Sequence, residues 1–283
     1  MKVATACRNA IAQGIVVLAA LAMLATLAAT PAAATAWMLP ATDAGFVTEA
    51  GGSAKGDGTV VAAATYNYAA GFELHYATGA LFAPLAPMFR KNYFVFDLSA
   101  ITEPIIAAKL VLWTGTLETA DAFELYVLKE TTDMPSAVGL ASALAAGTGP
   151  ADFDSPADPL VMAAATLYTL LGDGALTLGS IVLTSADDDS FVEIAFGPAA
   201  LAYLSAFAGG PVVIGGLVPS AEPPAFPQQP FGFTGPAIPV GDPKTPLLVV
   251  TTIPEPAAAA LWFAGLLALA AAARRRRRAA ARR

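Results

Sequence analysis

Asn92-Tyr93-Phe94-Val95-Phe96-Asp97-Leu98 decides the fold. The run is aromatic and β-branched and almost continuously apolar, which is the composition of a strand buried in the middle of a sheet. It is too short for a buried helix. Outward from it the chain keeps returning to short strand-like words. Upstream stand Gly45-Phe46-Val47-Thr48 and the alternating Phe72-Glu73-Leu74-His75-Tyr76. Downstream, after a turn at Glu103-Pro104, come Lys109–Thr114 and Phe123–Lys129. Ala165–Leu170, Ser180–Thr184 and Phe191–Phe196 follow, the last two bridged by Asp187-Asp188-Asp189. Pro211–Gly216 and Pro246–Thr251 complete the set. Many short strands with turn residues between them predict an all-β chain, an antiparallel, jelly-roll-like β-sandwich.

Two segments depart from that pattern. Pro198–Ala208 places Leu201, Leu204 and Ala208 at helical spacing, with proline at its start and Gly209-Gly210 as a stop. It predicts one short helix capping an end of the sandwich. Val138–Pro159 is rich in Ala, Gly and Pro and reads as a long loop, with at most a helical turn at Leu140–Ala146. Pro219–Pro243 is proline-rich and also reads as loop, with a short strand at Phe231-Gly232-Phe233. No internal repeat is present.

Both ends of the sequence carry export chemistry. Lys2 and Arg8 precede an apolar stretch, Ile11–Ala29, and Ala34-Thr35-Ala36 matches the small-x-small pattern read by signal peptidase. Residues 1–36 are therefore expected to be a signal peptide, cut after Ala36 and before Trp37, with Ala34 and Ala36 as the residues read. An uncleaved N-terminal anchor is the alternative. The other end reads Pro254-Glu255-Pro256, then an uncharged run over residues 257–273, then Arg274, Arg275, Arg276, Arg277 and Arg278. About 17 residues at about 1.5 Å each span about 26 Å, close to the minimum for a hydrocarbon core. Arginines that end such a run place that end in the cytoplasm.

The order Pro-Glu-Pro, apolar span, Arg cluster resembles the PEP-CTERM sorting signal of Gram-negative bacteria. That resemblance implies three parts for the chain: a signal peptide (1–36), a β-sandwich ectodomain (37–252) and a sorting signal with a transmembrane helix (253–283). It implies processing at Pro254, Glu255 and Pro256 by exosortase, an integral-membrane transpeptidase-like enzyme. It also implies passage from the inner membrane to the cell surface or the extracellular matrix, in hosts that make exopolysaccharide and biofilm. Asn92–Ser99, Ala107–Leu112, Phe191–Ile194 and the Pro198–Ala208 segment look like a recurrent ectodomain of PEP-CTERM proteins. The words that match are strand words, so they speak to fold and not to activity. An ordinary membrane anchor and an Arg-rich nucleic-acid arm are the competing readings of the tail.

With both ends set aside the composition changes. The single cysteine, Cys7, lies in the signal segment, so the exported domain has neither disulfide nor thiolate ligand. Between Trp37 and Pro256 only Lys55, Arg90, Lys91, Lys109, Lys129 and Lys244 stand against all 22 acidic residues, a net charge of about −16. Such a domain does not bind nucleic acid by neutralising phosphates.

Chemistry-bearing residues are few. His75 is the one histidine, on an alternating strand, and no Gly-x-Ser-x-Gly elbow accompanies it. A multi-histidine zinc site is excluded. Asp187-Asp188-Asp189 and the Asp152/Asp154/Asp158 segment carry oxygens for Ca²⁺ but lack EF-hand spacing, so a solvated turn is the simpler reading. Tyr66, Tyr68, Tyr76, Trp113 and Tyr126 are aromatics that could stack sugars, or simply half-buried strand residues. Paired carboxylates for glycoside hydrolysis carry no weight in a domain this acidic. No cofactor, no metal and no catalytic residue is expected. The expected partners are signal peptidase, exosortase, the inner membrane and exopolysaccharide. The function expected is a structural or adhesive matrix component, with a carbohydrate-binding module as the alternative and a carboxylate-dependent hydrolase behind it.

Overall fold

A computed structural model describes residues 33–49, 51, 65–66, 70–76, 84–114, 123–146, 158–172, 174, 176–219, 238–239, 244–253, 265 and 271–272. Ala36–Thr252 forms one compact unit. Within it two principal antiparallel sheets carry the fold, with few helices.

The smaller sheet sets four strands side by side in the order β1 (Thr35–Pro40), β12 (Leu247–Thr252), β6 (Ile105–Trp113) and β9 (Phe191–Ala195). The larger runs β2 (Asp43–Thr48), β5 (Pro84–Asp97), β10 (Pro211–Leu217), β7 (Phe123–Lys129) and β8 (Thr177–Thr184). A further strand, β4 (Gly71–Tyr76), also pairs with β5. A two-stranded ribbon joins β3 (Thr65–Tyr66) to β11 (Ile238–Pro239).

The buried faces of the two sheets share one apolar cluster, as in a β-sandwich. Leu110, Leu112, Val192, Ile194, Leu248 and Val250 come from the small sheet. Phe94, Phe96, Val212, Ile214 and Leu128 come from the large one. The small sheet alternates along β9, β12 and the second half of β6, with β12 reading half-buried, buried, half-buried along its length. One face is core and the other faces outward. The large sheet does not alternate at its centre: Tyr93 to Phe96 and Val212 to Gly216 are buried without interruption. A second layer on the far face explains this.

That layer corrects the expectation of a single helix. Three α-helices are present among the described residues: α1 (Met134–Ala146), α2 (Pro159–Leu170) and α3 (Pro198–Ala206). α1 and α2 pack together and against β10 and β2, covering the back of the large sheet. The expected long loop at 138–159 thus begins inside a helix, and its residues 147–157 lie outside the described ones. The expected strand Ala165–Leu170 is the second half of α2. Its β-branched and aromatic words misled, because a helix is set by its face: Val161, Ala164 and Leu167 recur every three residues and are buried. Asp158 caps the start by accepting the Leu160 N–H at 2.8 Å, and Pro159 fits the first turn. α1 shows the same logic, with Met134, Ala137, Ala141 and Leu144 buried and Asp133 accepting from Ser136 N–H and Oγ–H. α3 stands where Pro198–Ala208 was expected and packs on β6 and β8. The expected strand Phe231–Phe233 lies outside the described residues.

Glycines allow two close approaches in the large sheet. A Cβ on Gly216 would fall far inside contact distance of Tyr126 Oη and Asn92 Oδ1. The hydrogen atom there instead leaves room for the buried Tyr126 hydroxyl to donate to Asn92 Oδ1 at 2.7 Å across β10. A Cβ on Gly179 would meet the Ala195 carbonyl oxygen at 2.6 Å, so the corner where the two sheets approach also needs glycine.

Candidate functional site

Among the described residues one open surface is the outer face of the small sheet. Along β6 the inward residues are Leu110 and Leu112, so Lys109, Val111 and Trp113 point out. β9 is paired so that Lys109 stands opposite Ala195, Val111 opposite Glu193 and Trp113 opposite Phe191. Cross-strand partners share a face, which sets two aromatics side by side at one end. Their centroids are 4.9 Å apart at 73°, an edge-to-face pair. Phe191 is 49% exposed, the one aromatic among the exposed large apolar side chains described. Lys244, in the turn before β12, places its ammonium 4.3 Å from the Trp113 ring centre. One step along, Lys109 Nζ donates to Glu193 Oε1 at 2.6 Å.

This end of the sheet is held rigidly. Thr114 Oγ1 accepts from Ser190 N–H at 3.1 Å, and its own hydroxyl faces the Asp187 and Ser190 carbonyls. Ser190 Oγ donates to the Asp187 carbonyl at 2.8 Å. The turn that delivers Phe191 is thereby tied to the end of β6.

The same turn gives Asp187, the first of the acidic triplet, a structural role. Asp187 Oδ2 accepts from Thr184 N–H at 2.8 Å and Thr184 Oγ1–H at 2.9 Å, closing a capping box around the 3-10 turn Ser185–Asp187. Asp189 takes a left-handed conformation at φ 48°. Among the described residues no group of three His, Cys, Asp or Glu side chains could hold a metal ion. Several other carboxylates also have structural partners: Glu130 accepts from Leu176 N–H, and Asp97 accepts from Ser99 N–H at 2.8 Å. The Ser99 bonds hold the Asp97 carboxyl below its ordinary pKa, the reverse of what a general acid needs.

Of the five aromatics considered for sugar stacking, Tyr126 is fully buried and hydrogen-bonded to Asn92, and Trp113 is half-buried on the open face. Tyr66 lies in β3, Tyr76 and His75 in β4, and Tyr68 outside the described residues. Phe191 was missed, although period-two alternation puts it on the exposed face with Glu193. Lys244 sits in a turn, where no sequence period speaks. Another concavity is an apolar groove of ≈ 370 Å³ between the start of α1 and the Phe207–Pro211 turn. None of its lining residues titrates, so it offers no acid–base chemistry.

The residues expected to be processed divide. Ala34 stands just before β1 and Ala36 is its second residue. Pro254, Glu255, Pro256 and Arg274, Arg275, Arg276, Arg277 and Arg278 lie outside the described residues. Among the described residues no helix is long and apolar enough to cross a membrane. β1 and β12 are neighbours, so the segment following the expected signal cut lies beside the last strand before Pro254. Trp37 Nε1–H donates to Thr252 Oγ1 at 3.2 Å, and Thr252 donates on to Glu103 Oε2 at 3.3 Å.

A scan of the sequence against protein-family models and a search of curated proteins both return no match.

Proposed function

We propose that this chain is an exported surface or extracellular-matrix protein that exosortase processes at Pro254-Glu255-Pro256. One observation carries the reading: Pro-Glu-Pro, an uncharged run and five consecutive arginines follow one another in that order behind a folded acidic domain. The signal-like segment before Trp37 supports it. The finer architecture belongs to the same proposal: a jelly-roll-like sandwich between a cleaved signal peptide and a transmembrane sorting helix. In this reading residues 257–273 hold the protein in the inner membrane. The arginines stop transfer, because carrying them through hydrocarbon is costly. The tail is then removed. The remaining domain, with no cysteine and a charge of about −16, plays a structural or adhesive part outside the cell. Membership in the PEP-CTERM group is part of the proposal, as are its partners, signal peptidase and exosortase. No catalytic role is proposed.

Intact mass spectrometry of the protein from host medium and host membranes tests this. A released form running from near Trp37 to near Pro256 is expected. A single membrane-bound species still carrying Arg283 refutes exosortase processing and makes the tail a permanent anchor.

A further inference from the structure

We propose that the Trp113–Phe191 end of the open sheet face is a contact site for an uncharged polysaccharide. The observations are independent of the tail, and they narrow the matrix role to one ligand chemistry. The site rests on the export reading only for where the ligand is met.

A sugar ring presents a patch of C–H groups on one face and hydroxyls around its rim. It is recognised by an exposed aromatic ring with donors and acceptors beside it. Phe191 supplies that ring, half exposed, and Trp113 backs it edge-on at 4.9 Å. Lys244 lies across the Trp113 face, so Phe191 is the stacking ring and Trp113 fixes its pitch. The ring is pre-positioned by the Thr114–Ser190–Asp187 bonds, which removes ordering cost from binding. Donors and acceptors follow along the same face, with Lys244 at the turn and the Lys109–Glu193 pair one step away, both partly exposed. α1 and α2 lie on the large sheet at β10 and β2, and on the small sheet Phe191 stays half exposed beside a row of charged side chains that a long, flat chain could follow.

Charge selects the class of glycan. The Lys109–Glu193 pair compensates itself and Lys244 adds one positive charge held against the Trp113 ring, so the site offers hydrogen bonds with only a weak local field. The domain around it carries about −16, which repels a polyuronate at long range. A neutral polysaccharide meets neither obstacle.

The test uses the full chain purified in detergent and immobilised for biolayer interferometry. The probes are the neutral polymers hydroxyethyl cellulose, dextran and galactomannan, with sodium alginate as the polyanion. Binding to at least one neutral polymer is expected, changing by less than about twofold between about 50 and 500 mM salt because no ion pairing is screened. Phe191→Ala should weaken it about tenfold, one aromatic contact's worth, with the far-ultraviolet circular dichroism and the denaturation midpoint of the fold nearly unchanged. Lys244→Gln, which keeps a donor, should change it far less. No binding to any neutral polymer overturns the proposal. So does binding that Phe191→Ala leaves intact, or binding confined to alginate and lost in salt. A chain that binds a neutral polymer yet is never released from the inner membrane sinks the export reading alone.

Discussion

Gly216→Ala tests how closely the central strands of the large sheet approach. The added Cβ would lie 2.5 Å from Tyr126 Cζ and closer still to Tyr126 Oη and Asn92 Oδ1. These positions are far inside contact, and both neighbours are buried. The phenol must move, and its 2.7 Å bond to Asn92 breaks. Loss of a buried hydrogen bond costs about 1–3 kcal/mol, and overpacking a core adds about 1–3 kcal/mol. The sum, about 2–6 kcal/mol, lowers Tm by roughly 4–24 °C at about 2–4 °C per kcal/mol for a domain of this size. Tyr126→Phe removes only the hydroxyl and should cost about 1–3 kcal/mol. The two changes should not add. Once the added methyl has displaced the phenol, the hydroxyl has already lost Asn92, so the double variant should be more stable than the sum by about 1 kcal/mol. Denaturant unfolding of the four proteins followed by near-ultraviolet circular dichroism measures the cycle. Gly216→Ala within about 0.5 kcal/mol of the parent, the range of an ordinary surface change, would refute the close approach.

Other expectations are smaller in scope. Asp158→Ala removes the cap of α2 and should cost about 0.5–2 kcal/mol, read as a fall in the denaturation midpoint; an unchanged midpoint would leave the helix start set by Pro159 alone. Burial, and secondarily Asp43, holds the Tyr93 phenol well above its ordinary pKa. Its contribution is therefore complete below the unfolded phenol's pKa near about 10 and is lost as pH rises through the folded value. Stability should fall in alkali, and Tyr93→Phe should flatten that fall; an equal slope in both proteins would locate the titration elsewhere. Replacing Pro254, Glu255 and Pro256 with alanine should leave full-length protein in the inner membrane, by immunoblot of fractionated cells. Neutral residues at Arg274–Arg278 should weaken that retention, and an unchanged fraction would argue against the arginines as the stop.

Strands were legible here wherever one face is wet. β6, β9 and β12 alternate, and their words mark both their existence and their core side. β5 was legible for the opposite reason, since Tyr93 to Phe96 is too apolar to be anything but central. What that run also said, that both faces must be covered, was the clue to the second layer. The helices that supply it were hidden, because α1 is built from Ala, Gly and Ser with a thin stripe at Met134, Ala137, Ala141 and Leu144. α2 hid behind Ala165–Leu170, whose residue types favour strands while their spacing favours a helix. Tertiary cover decided between propensity and period. At the surface, alternation places Phe191 beside Glu193, but the meeting with Trp113 depends on register, which a single strand does not encode.

The ends of the sheet bear on the proposed processing. β1 begins at Thr35, so a cut after Ala36 falls inside the strand and removes only its first two residues. Such a cut would leave Trp37 and its bond to Thr252, the last residue of β12, which is held in turn by Glu103. Only Ile253 separates Thr252 from Pro254. The proposed signal cleavage would therefore cost the sheet little, whereas a cut one residue later would remove Trp37 and loosen the strand next to Pro254-Glu255-Pro256. Trp37→Ala copies that loss without moving the cut. If the bond holds the end of β12 in place, the variant should expose the Thr252–Ile253 segment to limited proteolysis, and Thr252→Val should do the same. Protection equal to the parent in both variants would show that β1 pairing alone secures the strand, and that Trp37 is not needed to hold the fold up to Pro254.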